Sequence, residues 1–176
     1  MIEYLNSLPE DIEEINVSDK GITSLDVRRF KNLKKLFCYN NQLTHLYLNE
    51  NLEFLDCHNN QLTFLNLNEN LQIIYCYCNH LTSLHSKNLQ ALYCSDNRLS
   101  SLHLNENLQE LYCHNNQLTS LYLNKNLLKL SCYNNQLTSL HLNENLEKIY
   151  CSNNQLTSLH LNENLKKIVY NNNSIY

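Results

Sequence analysis

The chain has 176 residues, 17 acidic against 13 basic side chains and a formal charge of −4, so it lacks the strong positive field that nucleic acids and anionic membranes select. Residues 1–10 hold two acids and no long apolar run. No secretory signal is visible there, and no stretch approaches the roughly 18 uninterrupted apolar residues of a spanning helix, so neither is expected. A chain of this length with eight cysteines and no leader is expected in the cytoplasm, with free thiols.

From the N-terminus, residues 1–11 read as half of a repeat unit. Ile2, Leu5 and Leu8 take its apolar positions, and Pro9 with the box Ser7-x-x-Glu10 suits it to cover one end. Residues 12–32 are a divergent first repeat, with Ile12, Ile15, Val17 and Ile22 at the apolar positions and Lys20 where later units carry asparagine. Seven full repeats follow over residues 33–164 on the pattern L-x-x-L-x-C-x-N-N-Q-L-T-S-L-x-L-N-E-N. The asparagine of the N-Q-L-T phrase recurs at Asn41, Asn60, Asn79, Asn97, Asn116, Asn135, Asn154 and Asn173, in steps of 19 with a single step of 18. Departures from the pattern gather in the third full copy, at Cys78, His80, Ser86, Lys87 and one deleted residue, and read as a local irregularity. Residues 165–176 are a truncated last repeat ending Ser174-Ile175-Tyr176. Its strand, Ile168 to Tyr170, is expected to be an open edge that Lys166 and Lys167 protect, or that pairs two chains end to end.

Each unit holds two stretches of period two. Leu111 and Cys113 alternate with Tyr112 and His114; Leu121 and Leu123 alternate with Ser120, Tyr122 and Asn124. Such alternation predicts extended strand, and a unit this short has no room for a long helix. With one glycine in the chain, the turns fall to asparagine, the residue next most at ease in left-handed backbone. A unit is therefore a flattened coil of two extended segments and two turns. One coil buries too little apolar surface to offset the entropy of ordering it, so coils must stack, each giving the next a strand ladder at about 4.8 Å. The fold class is mainly β, a solenoid of about eight to nine coils.

The phrase L-x-x-L-x-C-x-x-N-x-L, which includes Leu111 to Leu118, resembles the strand segment of leucine-rich repeats, with cysteine replacing the third leucine. The short period resembles the bacterial and giant-virus classes of that family, and the N-E-N and N-N-Q-L-T-S-L phrases resemble leucine-rich repeat proteins of amoeba-infecting giant viruses. The resemblance covers nearly the whole chain. It implies a right-handed leucine-rich repeat solenoid with a parallel concave sheet, an extended or strand-like convex side, and a bias toward protein binding.

Cys38, Cys57, Cys76, Cys94, Cys113, Cys132 and Cys151 share one inward position, replaced by Val17 in the first copy and Tyr170 in the last. Neither substitute resembles a thiolate ligand, so the column reads as small buried apolar groups. Stacked rungs hold Cβ atoms about 4.8 Å apart, beyond disulfide geometry, and a line of thiols does not make a zinc tetrahedron. Cys78 stands where other copies have asparagine and is expected to be reagent-accessible. The marker asparagines read as a structural ladder bonding backbone groups of their own turn and of the next copy. A second series, Asn51, Asn70, Asn88, Asn107, Asn126, Asn145 and Asn164, is expected to cap the return turn. No metal or other cofactor is expected.

Function is expected on the outward face of the first strand. One row reads Phe37, Asp56, Tyr75, Tyr93, Tyr112, Ser131, Tyr150; the next Tyr39, His58, Tyr77, Ser95, His114, Tyr133, Ser152; an adjoining row Lys35, Phe54, Ile73, Ala91, Glu110, Lys129, Lys148. Aromatics on a rigid sheet suit recognition of a protein ligand, because rings give contact area at low entropic cost; they are also good strand formers that stack on one another. The second segment presents Tyr47, Asn66, His85, His103, Tyr122, His141 and His160, read as a solvated row. Arg28, Arg29, Lys31, Lys34 and Lys35, with Phe37 and Tyr39 beyond, have the makings of a weak single-strand nucleic-acid site. No phosphate loop, HExxH or GxSxG phrase occurs, and each nucleophile or base recurs along the repeat, so no catalytic residue is nominated. The leading expectation is a non-enzymatic binding module using the concave Tyr/His face. The alternative is a structural protein, a homo-oligomer that assembles through its terminal repeats.

Overall fold

The computed structural model describes residues 2–85 and 87–175, with side chains from residue 5; the sequence readings at Ser86 and Tyr176 and the Ile2 side chain lie outside the described residues. The chain begins with the helix α1 (Ile2–Ser7) rather than half a coil. Its backbone bonds are local, as from Leu8 N–H to the Leu5 carbonyl at 3.1 Å. Leu5 and Leu8 nevertheless pack half-buried against the core, and the Arg29 guanidinium donates to the Leu5 carbonyl.

Eleven three-residue strands follow among the described residues: β1 (Glu14–Asn16), β2 (Ser24–Asp26), β3 (Lys35–Phe37), β4 (His45–Tyr47), β5 (Phe54–Asp56), β6 (Ile73–Tyr75), β7 (Ala91–Tyr93), β8 (Glu110–Tyr112), β9 (Lys129–Ser131), β10 (Lys148–Tyr150) and β11 (Lys167–Val169). Nine of them form one parallel sheet in the order β1-β3-β5-β6-β7-β8-β9-β10-β11. Like residues pair on neighbouring rungs, as in Leu36 with Leu55 and Tyr75 with Tyr93. The deleted residue does not shift this register, since Ile73 still faces Ala91. On the other side, among the described residues, only β2 and β4 pair as strands. Later coils are extended there but keep one backbone bond each, such as Gln117 N–H to the Leu99 carbonyl at 2.9 Å.

The middle residue of each strand points inward, and the cysteine column continues the core one residue beyond. Val17 and all seven column cysteines are 0% exposed. Every column cysteine donates its N–H to a carbonyl of the following rung, Cys113 to Ser131 at 2.8 Å for example, so the thiols are strung in a line. Tyr170 departs from this reading: it occupies the column position beyond β11 yet is 46% exposed, with no further rung over it among the described residues. The last strand also lies one residue earlier than expected, at Lys167–Val169.

Asparagine does more than the sequence suggests. The residue before each marker position lies in left-handed backbone with φ of 52–58°: Asp19, Asn40, Asn59, Cys78, Asp96, Asn115, Asn134, Asn153 and Asn172. Six of the eight marker asparagines are buried, Asn41 and Asn173 being half-buried, and they bond their own turn and the preceding coil, rather than the next. Asn116 Nδ2 donates to the Cys94, Cys113 and His114 carbonyls at 3.0, 3.1 and 3.3 Å, and its Oδ1 accepts from Leu99 N–H at 2.9 Å. The series expected to cap the return turn instead reaches back one coil, as Asn126 Nδ2 does to the Glu106 carbonyl at 2.8 Å. The cap belongs to the residue two earlier: Asn124 Oδ1 accepts from Asn126 N–H at 2.8 Å while its Nδ2 donates to the Asn105 and Leu108 carbonyls at 2.5 and 3.0 Å. An outer column adds side-chain bonds between left-handed residues, such as Asn134 to Asn115 at 2.6 Å and Asn115 to Asp96 at 2.7 Å.

Candidate binding face

The solvent side of the nine-stranded sheet carries the three rows in register. Parallel pairing at constant offset puts each ring directly beside the ring of the next rung. Tyr75, Tyr93 and Tyr112 stack with centroids 4.3 and 4.9 Å apart. Tyr39, His58 and Tyr77 stack at 4.8 and 4.4 Å, and His114 with Tyr133 at 4.3 Å. Phe54 bridges rows, tilted against Phe37 at 5.2 Å and Tyr75 at 5.8 Å. All of these rings are half-buried. The face is therefore one continuous aromatic surface over the N-terminal and central rungs, with Ser95 and Ser131 as breaks in its columns.

Polar groups fix this surface. His58 Nδ1 lies 2.5 Å from Asp56 Oδ1, both side chains 15% exposed. Tyr93 Oη donates to Glu110 Oε2 at 2.8 Å, and Lys129 Nζ donates to Glu110 Oε1 at 2.6 Å. The bond from Lys129 lowers the Glu110 carboxyl below its ordinary range, burial opposes this, and the bond from Tyr93 lowers it further. Burial, then the Glu110 carboxylate, push the Tyr93 phenol well up. Burial lowers the His114 imidazole, with Asp96 pulling the other way. Glu110 is thereby held ionised and paired, and Tyr93 and His114 are favoured in their neutral forms, so this part of the face offers rings and fixed hydrogen-bonding atoms.

The other candidates separate from this face. Burial raises the column thiols, Cys94 to about 12 and Cys151 to about 11, which leaves them protonated and unreactive. Cys78 is exposed, as expected. Three of the five basic side chains are paired: Arg28 with Asp26 at 2.5 Å, Lys34 with Glu53 at 2.8 Å and Lys31 with Glu50 at 3.9 Å. Arg29 bonds the Leu5 carbonyl and lies over Phe30, so it and Lys35 keep their charge, two cations for a phosphate backbone rather than five. On the far side, Tyr122 and Phe64 are 82% and 66% exposed, and His85 and His103 lie 6.1 Å apart. Sequence reasoning missed Glu110 as the group that ties the tyrosine row to Lys129. The signal was a lone acid in an apolar and basic row.

No family model matches the chain, and no curated protein matches it significantly. Solved structures do match. YopM, a leucine-rich effector protein from Yersinia pestis, is 26% identical with a TM-score of 0.76, over 96% of this chain and 56% of its own. A leucine-rich repeat protein of Leptospira interrogans is 22% identical with a TM-score of 0.64, over 96% and 64%. The functional domain of InlJ from Listeria monocytogenes, which includes a cysteine ladder, is 24% identical with a TM-score of 0.57, over 93% and 49%. The chain thus spans about half to two thirds of the length of these structures. Its parallel coils with inward leucines match the solenoid fold of these leucine-rich repeat structures.

Proposed function

We propose that the chain is a non-enzymatic protein-binding scaffold whose contact surface is the concave Tyr/His face. The observation that carries this is the in-register stack of half-buried rings at 4.3–4.9 Å on a hydrogen-bonded sheet. A pre-ordered aromatic surface loses little entropy when a partner covers it. The fold relatives support a scaffold role: YopM is an effector protein with leucine-rich repeats. The repeated N-E-N phrases favour a giant-virus origin, and with it a partner in host cytoplasm. The test compares partners recovered by the wild type with those recovered by a Tyr75, Tyr93, Tyr112 triple alanine that keeps its far-UV spectrum and melting temperature. Selective loss of partners is expected, and equal recovery would contradict the reading.

One observation favours a second reading. At the β11 end, Leu161 and Tyr170 are 58% and 46% exposed, and among the described residues β11 pairs on one side only, so a second copy has an apolar, half-paired edge to meet. Light scattering decides: a strictly monomeric protein at high concentration eliminates assembly through this end.

A further inference from the structure

The tyrosine row has one break with a cavity in it. At Ser131 a hydroxymethyl group stands where the flanking rungs carry Tyr112 and Tyr150. Ring stacking runs from Tyr75 to Tyr112 and stops there. Two rungs separate Tyr112 from Tyr150, about 9.6 Å, which is twice the spacing of the stack. A cavity of about 150 Å³ lies between them, lined by Tyr112, Lys129, Leu130, Lys148 and Tyr150. Ser131 itself is 4% exposed with its hydroxyl 3.3 Å from His114 Nδ1, so the cavity opens beside it, over Leu130 and the two lysines.

Its charge is set by a rule visible elsewhere on the face. A ring in this row leans toward the adjoining row of the following rung: Tyr93 Oη reaches Glu110 at 2.8 Å, and Lys167 Nζ lies 5.2 Å from the Tyr150 ring centre. By the same offset, a ring in the break points its para position at Lys148. Lys129 is held by Glu110, and Glu147 on the neighbouring column is held by Lys166 at 2.8 Å. Among the described residues Lys148 has no ion pair. The slot thus offers two aromatic walls and, at its open end, an ammonium that makes no direct ion pair and feels Glu110 and Glu147 only at longer range.

We propose that the slot receives the ring of a partner tyrosine that carries an anionic ester on its phenolic oxygen, stacking it between Tyr112 and Tyr150 with the anion against Lys148. This rests on the reading of the face as a protein-binding surface and names the chemistry of the partner. Phosphate and sulfate esters of tyrosine share that chemistry.

The experiment is a fluorescence-anisotropy titration of the full chain with one peptide in four forms, bearing phosphotyrosine, sulfotyrosine, tyrosine or phosphoserine at the same position. An anionic ring should bind about tenfold or more tighter than either the neutral ring or the ringless anion; which ester wins identifies the source. Ser131→Tyr fills the slot with a ring by the repeat's own rule and should abolish the preference. Lys148→Gln, a surface change, should weaken the two anionic-ring peptides to the level of the tyrosine peptide. Equal binding of all four peptides, or wild-type affinity in Ser131→Tyr with its melting temperature unchanged, overturns the proposal. Ser131→Tyr keeps Tyr75, Tyr93 and Tyr112. Partners lost by the triple alanine but retained by Ser131→Tyr would therefore overturn the slot while leaving the face reading intact.

Discussion

At the scale of single residues, stability rests on buried asparagine amides that reach between coils. Asn116 satisfies three carbonyls and one N–H, two of these four groups on the preceding coil. Alanine would leave those groups buried and unpaired, so Asn116→Ala is expected to cost about 2–4 kcal/mol in urea unfolding; a loss under about 0.5 kcal/mol, the scale of an ordinary surface change, would show the ladder to be decorative. Cys78 is the opposite case. It holds left-handed backbone at φ 53° without an asparagine side chain, and it interrupts the outer column between Asn59 and Asp96. Cys78→Asn relieves the backbone and offers the missing side-chain bond. It should raise the melting temperature by about 2–4 °C, and an unchanged or lower value in a thermal scan would contradict this.

At the scale of strands and rows, the sequence is legible where a single period governs. The alternation of Leu111 and Cys113 with Tyr112 and His114 identifies strand, inward column and outward rows together, because period two leaves one assignment of faces. What it does not carry is contact between rows. Tyr93 meets Glu110 only because its ring leans across to the following rung, a rotamer property with no signature in spacing. The helix at Ile2–Ser7 and the division of labour among the asparagine series escaped for a related reason: both depend on which neighbour is present, not on local pattern. The rows also carry a pH dependence. Burial beside Tyr133 lowers the His114 imidazole from its ordinary 6.5, so the unfolded chain takes up this proton first. The stability is present above about pH 6.5 and is lost as pH falls through the lower, folded value. Between pH 7.5 and 5.5 the urea midpoint of the wild type should fall further than that of His114→Gln; parallel falls would remove His114 from the account.

For the whole molecule, repetition makes coils nearly interchangeable. Deleting residues 108–126 removes one coil and joins Asn107 to Leu127, recreating the phrase N-E-N-L found at the other junctions. The shortened chain should still unfold cooperatively, with a smaller urea m-value and lower stability; loss of the cooperative transition would show that the coils are not equivalent. The central claim is that all coils lie in register around one enclosed thiol column, with the rings on the opposite side of each strand. Thiol titration of the native protein with a rapid aromatic disulfide reagent tests it most directly. One of the eight cysteines, Cys78, should react in native buffer and all eight in denaturant. Two or more reacting before unfolding, or fewer than eight afterwards through disulfide bonding, would contradict it.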